Sequence, residues 1–135
     1  MTPIAAPRRV VVVRPDHLGD VVLSGPTVAR LRRGWPAAEI ALLVGPWGAE
    51  AARRLPGADR VAELDFPYFD RAARPGWRQP RRAAAARLAP WRRLAAAARA
   101  LRAARYGVAV IARDDDRWGA LLARAAGIPV VAGHA

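Results

Sequence analysis

The fold is decided by the stretch Val10-Val11-Val12-Val13-Arg14-Pro15-Asp16-His17-Leu18-Gly19-Asp20. Four β-branched residues in a row predict a strand buried on both faces, as strands of parallel sheets are. A short polar turn with one glycine follows, and then a helical pattern over residues 21–34. This order puts the turn at the carboxyl end of a strand, where open α/β sheets bind their ligands.

The turn holds four side chains that can bind or react, namely Arg14, Asp16, His17 and Asp20. Each also has a plainer interpretation. Asp20 can cap a helix that begins near residue 21, Arg14 can be a solvated charge, and His17 can be an ordinary surface residue. Gly19 can serve a positive φ or a close approach of the backbone to a ligand. The grouping of all of them within seven residues favours a site.

Length and composition limit the class of protein. A chain of 135 residues has room for one domain with a moderate core. Cysteine is absent and the two histidines, His17 and His134, are far apart, so we predict neither a disulfide nor a metal site. No apolar run approaches the roughly 18–20 residues of a spanning helix, and the first residues lack a signal-peptide core. We therefore expect a cytoplasmic protein.

The net charge of +12 suggests a nucleic-acid partner. However, all 23 basic residues are arginine and alanine is abundant, a composition that a GC-rich genome produces by codon bias. We therefore do not expect specific binding of nucleic acid. An anionic partner such as a phosphate or an acidic membrane surface stays open, because an uncompensated positive field attracts both.

Strand and helix patterns alternate along the chain. Strands are predicted at residues 9–14, 39–44, 60–64, 106–113 and 128–132, and helices at 21–34, 49–55, 90–104 and 117–126. Pro26 predicts a kink or a lead-in turn in the first helix. The alternation indicates an α/β, Rossmann-like, doubly wound parallel sheet. The Gly-x-Gly-x-x-Gly fingerprint and a Walker loop are absent, so NAD and Walker-type nucleotide binding are disfavoured.

Residues 65–105 form a long insertion between the third and fourth strands. Its first half, residues 66–82, is rich in proline, arginine and aromatics, and is either a connector or a lid. We expect this half to help dock the protein on acidic membranes, with binding that weakens as salt rises. The second half predicts a helix from Pro90, with arginines outward. Its apolar stripe consists of Trp91, Leu94, Ala98 and Leu101.

Residues 12–26 resemble the opening of glycosyltransferase family 9, which contains the ADP-heptose:lipopolysaccharide heptosyltransferases. Further segments resemble that family in the same order. They are residues 31–36, 40–45, 52–59, 106–113, 118–123 and 126–129. The resemblance covers nearly the whole chain apart from residues 66–87, and the ordered set is more specific than the first motif alone.

The resemblance implies a GT-B enzyme, in which two Rossmann-like domains enclose the active site. It also implies inverting transfer without a metal or cofactor, from a nucleotide sugar such as ADP-heptose to a glycan or glycolipid acceptor. Asp20 matches the family's general base, which takes the acceptor proton. We predict that Arg14, Asp16, His17, Gly19 and Asp116 bind the acceptor.

Two departures from the family pattern affect this interpretation. The family often has one Asp flanked by Arg and Ser after its fourth strand, whereas here residues 113–118 read Arg-Asp-Asp-Asp-Arg-Trp. Three carboxylates can orient acceptor hydroxyls, or they can form a solvated turn that caps the next helix. The sequence also ends at residue 135, where the first domain of the family would still continue. We therefore expect a single, incomplete acceptor-side domain over residues 1–135, without the C-terminal donor-binding domain and inactive alone.

Two other functions stay open. The chain can be a stand-alone Rossmann-like module that binds a phosphorylated small molecule, or a basic protein that binds polyanions or membrane surfaces. For the transferase, we expect a cytoplasmic location with peripheral contact at the inner membrane, because the family's acceptors are presented there.

Overall fold

A computed structural model describes residues 5–66 and 84–133, without the side chains of residues 84–87. His134 and residues 67–83 lie outside the described residues, so nearly all of the docking loop predicted over residues 66–82 lies outside them too. The described chain forms one five-stranded parallel sheet with the order β3-β2-β1-β4-β5. The strands are β1 (Arg9–Arg14), β2 (Glu39–Val44), β3 (Arg60–Glu63), β4 (Val108–Ile111) and β5 (Val130–Gly133).

Helices cover both faces of the sheet. The described helices are α1 (Leu18–Leu23), α2 (Gly25–Gly34), α3 (Ala49–Arg53), α4 (Ala84–Ala104) and α5 (Arg117–Ala125), and a short 3₁₀ helix (Pro46–Gly48) precedes α3. None of these helices is long and apolar enough to cross a membrane.

The two-residue period of β1 divides the core into two layers. Val10 and Val12 pack with residues of α1, α2 and α3 on one face. Val11 and Val13 pack with residues of α4 and α5 on the other. All four valines are at most 1% exposed. The predicted doubly wound α/β class is therefore confirmed.

The predicted bounds of β1 and β2 match the structure residue for residue. The first helix differs, because it begins at Leu18 and breaks at Ser24. The Ser24 hydroxyl donates a hydrogen bond of 2.6 Å to the carbonyl of Val21. Pro26 then occupies the first turn of α2, where a missing N–H breaks no intrahelical bond. The lead-in turn expected before Pro26 is confirmed.

The helix predicted from Pro90 begins six residues earlier, at Ala84, and Pro90 lies inside α4. A proline there removes one backbone hydrogen bond, but α4 is rich in alanine before and after it, at residues 84–86 and 95–98, and alanine is the strongest helix former. Leu94, Ala98 and Leu101 pack in the core as predicted. Trp91 lies outside the core and is 55% exposed, so its predicted place in the apolar stripe is wrong.

Arg32 of α2 ties that helix to the loops before β2 and β3. Its guanidinium donates hydrogen bonds to the carbonyl oxygens of Pro36, Ala38 and Gly57, at 3.0, 2.7 and 2.9 Å. It also pairs with Asp59, which accepts a 2.7 Å bond from the Ile40 N–H. That backbone bond is the main cause that lowers the pKa of Asp59. The stabilising contribution of Asp59 is thus present above its ordinary pKa of 3.8 and is lost as the pH falls through the lowered value.

Replacing Arg32 by lysine tests this tie. An ammonium group is a compact donor that cannot span four acceptors in different directions as the planar guanidinium does. We expect Arg32→Lys to lower the free energy of unfolding by about 2 kcal/mol, as measured by urea denaturation. Arg30→Lys is the matched control, because Arg30 is exposed on the same helix. Equal stability of the two variants would contradict the assignment.

Candidate functional site

The candidate site lies where the strand order reverses. From β1 the chain crosses to β2 on one side, while β4 pairs with β1 on the other. The turn after β1 (residues 15–17) and the turn after β4 (residues 112–116) therefore lie side by side at the carboxyl edge of the sheet. Open α/β sheets bind ligands in the crevice that forms at such a reversal.

Asp16 joins these two turns. The residue is 5% exposed. Its Oδ1 accepts a hydrogen bond from Nη1 of Arg113, and its Oδ2 lies 2.9 Å from Nε of Arg14. A buried carboxylate is strongly destabilising unless it is paired. The two arginines supply that pairing, Arg14 from the end of β1 and Arg113 from the turn after β4.

Arg14 connects Asp16 to Asp20. Its Nη1 donates a hydrogen bond to the carbonyl of Ala112, after β4, and its Nη2 lies 3.6 Å from Oδ1 of Asp20. The contact between Arg14 Nε and Asp16 Oδ2 is an ion pair without hydrogen-bond geometry. Among the described residues, neither of these two buried atoms has a hydrogen-bond partner. Arg14 is therefore an internal, oriented charge, and the interpretation as a solvated surface residue is wrong.

Asp20 is the third residue of α1, and its side chain is 43% exposed. Because α1 begins at Leu18, the cap position belongs to His17, whose side chain makes no capping hydrogen bond. The capping interpretation of Asp20 is therefore wrong. An acidic side chain in the first turn is still favoured by the helix dipole. The role of Asp20 as a base stays a prediction.

His17 and Gly19 are exposed at the start of α1. Gly19 has helical backbone geometry, so the expected positive φ is wrong; the described glycines with positive φ are Gly57 and Gly127. A side chain built at Gly19 would meet nothing within 4 Å. This open space at a helix N-terminus leaves room for a ligand to approach the backbone. Acceptor binding by these residues stays a prediction.

Asp116 caps α5. Its Oδ1 accepts a 2.7 Å hydrogen bond from the N–H of Gly119, which confirms the capping interpretation. The residue is 5% exposed, so the expected solvated turn is wrong at this position. Its Oδ2 is buried without a hydrogen-bond partner among the described residues. Burial raises the pKa of Asp116, although the Gly119 N–H and the charge of Arg113 oppose the rise. Acceptor binding by Asp116 stays a prediction.

Two functional partners in this site were not found by sequence reasoning. Arg113, predicted only as the end of a strand, donates hydrogen bonds to both Asp16 and Asp115. The bond to Asp115 is the main cause that raises the pKa of Arg113. Trp47, after β2, donates a 2.6 Å bond from Nε1 to the carbonyl of Asp16. No local signal could reveal these contacts, because Arg113 lies 97 positions from Asp16 in the chain and Trp47 lies 31 positions from it.

An open groove of about 780 Å³ lies at the opposite, amino edge of the sheet, beside Arg9, Trp35 and Arg105. The C-terminal ends of α2 and α4 line it, and helix C-termini carry partial negative charge. Arg9 donates a 2.8 Å bond to the carbonyl of Ala104 there. Arg9 therefore neutralises the C-terminal end of α4, and we assign the candidate functional site to the carboxyl edge. Within the described ranges, no group of three or more potential ligand side chains is placed to hold a metal ion.

Comparison with models of protein families finds no match, and comparison with curated proteins finds none either. Solved structures do match. One is the crystal structure of the glycosyl transferase family 9 from Veillonella parvula DSM 2008, with a TM-score of 0.70 and 20% identity over 94% of this chain and 32% of that chain. Another is E. coli ADP-heptose lps heptosyltransferase II, with a TM-score of 0.68 and 19% identity over 93% of this chain and 30% of that one.

The fold defines the class as a Rossmann-like α/β domain, with the candidate site at the reversal of strand order. The particular domains it is similar to belong to glycosyltransferases of the GT-B type, as the resemblance to family 9 predicts. At 19–20% identity this likeness establishes the fold. The chain spans about a third of the length of the solved structures it matches.

Substituting Asp116 tests the cost of its buried charge. Asn also caps helices well, and Asp116→Asn removes the charge whose burial raises the pKa. A raised pKa means that Asp116 stabilises the fold fully below its ordinary value of 3.8 and loses this contribution as the pH rises through the raised value. We therefore expect the free energy of unfolding of Asp116→Asn to be at least that of the wild type at pH 7. Below pH 3.8, where the wild type keeps its full contribution from Asp116, the variant should have no stability advantage.

Thermal denaturation of both proteins across this pH range makes the comparison. Asp116→Ala, which also loses the cap, should be less stable than Asp116→Asn by about 1 kcal/mol at every pH. A marked loss of stability in Asp116→Asn at pH 7 would show instead that the charge itself stabilises the turn.

Proposed function

We propose that this chain is the N-terminal, acceptor-side part of an inverting, metal-independent glycosyltransferase. Its donor would be a nucleotide sugar such as ADP-heptose, and its acceptor a lipopolysaccharide-type or other glycan. The observation that carries the proposal is the position of Asp20. Asp20 is a partly exposed carboxylate in the first turn of α1, directly after the turn that follows β1. It lies beside an oriented arginine, at the crevice of a fold that glycosyltransferases share.

In the proposed reaction, Asp20 takes the proton of an acceptor hydroxyl while that oxygen attacks the anomeric carbon of the donor. The new bond forms on the face opposite the departing nucleoside diphosphate, whose bond to the sugar breaks with its electron pair. Arg14 contributes a positive charge 3.6 Å from Asp20 and holds the turn against β4. His17 and Gly19 border the open space at the start of α1, where an acceptor hydroxyl can approach.

The donor site belongs, in this proposal, to a second Rossmann-like domain outside residues 1–135. The described residues contain one sheet, and the matched structures are about three times as long. We further propose that the enzyme works in the cytoplasm, in peripheral contact with the inner membrane, where glycolipid acceptors are presented. Departure of the diphosphate would be assisted by positive groups and helix N-termini rather than by a bound metal.

The proposed base is tested by Asp20→Asn in a protein that joins this chain to its donor-binding domain. We expect turnover to fall roughly 10²–10⁴-fold, the usual worth of a positioned base. Stability should change by about 1 kcal/mol or less, since the side chain is half exposed and accepts no capping bond. Glu50→Gln, on the exposed face of α3, is the control with the same loss of charge. Turnover close to the wild type in Asp20→Asn would refute the assignment.

The proposed location of the donor site in a second domain gives a second test. Residues 1–135 alone should transfer no sugar from any nucleotide sugar, because the donor site lies elsewhere in the proposed enzyme. Product analysis by mass spectrometry, with the two-domain protein as the positive control, measures this. Transfer by residues 1–135 that disappears in Asp20→Asn would overturn the two-domain proposal.

A further inference from the structure

Helices α4 and α5 carry positive charge without acidic side chains. Helix α4 contains five arginines and α5 contains two, and neither helix contains aspartate or glutamate. Helices α1, α2 and α3, on the other face of the sheet, contain four arginines together with two acidic residues. Three aspartates precede α5. Asp115 pairs with Arg113 and Asp116 is buried, whereas Asp114 is exposed outside the helix.

Four arginines of these helices are exposed, and within the described residues they form neither an ion pair nor a side-chain hydrogen bond. They are Arg92 and Arg99 on α4 and Arg117 and Arg124 on α5. In each pair a spacing of seven residues, or about two turns, puts both side chains on one face of the helix. Arg93 and Arg102, by contrast, are held by Asp65 and by the carbonyl of Ala125. The four unpaired guanidinium groups keep their donors for a partner.

Each of these arginine pairs shares its face with an exposed leucine. Leu88 precedes Arg92 by four residues on α4, and Leu121 follows Arg117 by four on α5, so each leucine lies beside an unpaired arginine. Leu88 is 51% exposed and Leu121 41%. The buried stripe of α4 begins at Leu94, so this leucine surface lies outside the core.

Contacts between the two helices join their outward faces into one surface. The rings of Trp91 and Trp118 have centroids 5.3 Å apart, and Trp91 is still 55% exposed. Further along, Arg102 of α4 donates its 2.9 Å bond to the carbonyl of Ala125 of α5. The helices therefore run side by side in the same direction. We call their common outward surface the α4–α5 face, and it consists of Leu88, Arg92, Arg99, Arg117, Leu121 and Arg124, with Trp91 in the seam.

A second group of exposed apolar side chains provides a comparison. Leu18, Val22 and Leu23 are 49–73% exposed on α1. That helix contains Asp20 and no arginine. The α4–α5 face differs from it because exposed apolar side chains lie there among unpaired positive charges, and an exposed apolar group of this kind marks a binding surface.

This combination matches the surface of an anionic lipid bilayer. Tryptophan is enriched at the membrane–water interface, and apolar side chains of a surface helix are stabilised at the boundary of head groups and acyl chains. Arginine attracts anionic head groups while its aliphatic stem covers apolar surface. Nucleic acid phosphates would attract the same arginines, but they would give Leu88 and Leu121 no apolar partner. The observations therefore favour lipid.

We propose that the α4–α5 face docks on the surface of an anionic phospholipid bilayer, with its arginines bound to lipid phosphates and its leucines at the level of the head groups. The inference rests on the part of the proposed function that puts the enzyme at the inner membrane, and it names the surface that makes the contact. Because α1 packs in the other layer of the fold, docking in this way leaves Asp20 uncovered.

The experiment measures cosedimentation of the full 135-residue chain with vesicles of phosphatidylcholine, and with vesicles of equal parts phosphatidylcholine and phosphatidylglycerol. We expect binding to the anionic vesicles that weakens as salt rises. Arg92→Gln/Arg99→Gln should weaken this binding roughly 10- to 30-fold, because both arginines lie against the anionic surface. Arg30→Gln/Arg33→Gln removes the same charge from exposed positions of α2, on the other face of the sheet. Its effect should stay below about threefold, since salt screens those charges from the lipid.

Leucine variants test the apolar part of the face separately. Leu88→Ala/Leu121→Ala should weaken binding to the anionic vesicles about three- to tenfold. Leu18→Ala/Leu23→Ala removes two leucines that are 55% and 73% exposed on α1, and should have no effect. All substituted positions are exposed, so the variants should fold, as circular dichroism will verify. Residues 66–82 are unchanged in every variant, which keeps the test independent of that loop.

Several results would overturn the proposal. They are equal binding of the wild type to both kinds of vesicle, no binding to either, and equal effects of matched substitutions on the two faces of the fold. Tighter binding to a DNA duplex than to the vesicles, lost in Arg92→Gln/Arg99→Gln, would assign the face to nucleic acid instead.

A failure of the proposed transferase is a separate result. The vesicles contain no glycan, so their binding requires neither an acceptor nor the donor-binding domain. Vesicle binding through the α4–α5 face, without Asp20-dependent transfer by the two-domain protein, would refute the transferase and leave a protein of the membrane surface.

Discussion

The parallel pairing of Val10–Val13 with strands on both sides is the constraint on which the rest of the structure depends. These residues pair with residues 40–43 of β2 and 108–111 of β4. With hydrogen bonds at both edges and side chains buried on both faces, β1 has one register in which its polar ends reach solvent. That register brings the carboxyl ends of β1 and β4 together, and the candidate site forms where they meet.

The buried carboxylate of Asp16 is the electrostatic counterpart of this pairing. A negative charge at the junction of two turns requires positive partners. Arg14 approaches it from the end of β1, and Arg113 from the turn after β4. Arg32 has a comparable internal role between α2 and the loops around it. The large arginine excess of the chain is therefore only partly a matter of composition. The planar, multidentate guanidinium is needed at these three positions, and lysine is not an equivalent replacement.

The two edges of the sheet differ in electrostatic character. At the amino edge, two arginines neutralise helix C-termini. Arg9 of β1 donates a hydrogen bond to the carbonyl of Ala104 at the end of α4, and Arg102 donates a 2.9 Å bond to the carbonyl of Ala125 at the end of α5. At the carboxyl edge, the N-termini of α1 and α5 carry Asp20 and Asp116 in or beside their first turns. Both arrangements oppose the helix dipoles. In the described part of the chain, the carboxyl edge combines buried carboxylate oxygens that have no hydrogen-bond partner, on Asp16 and Asp116, with exposed charges.

The sequence by itself determined the parallel α/β class and the bounds of β1 and β2, and it singled out the turn after β1 as part of the candidate site. These features depend on four to six consecutive residues whose burial pattern is local. The tertiary structure decided that α1 begins at Leu18, that Arg113 pairs with Asp16 across 97 positions, and that Trp91 is exposed beside Trp118. These features depend on the register of strands that are distant in the chain and on how α4, which is much longer than the strands, packs against α5. Local patterns carry no information about either, because the energy that selects them arises only when separate segments pack.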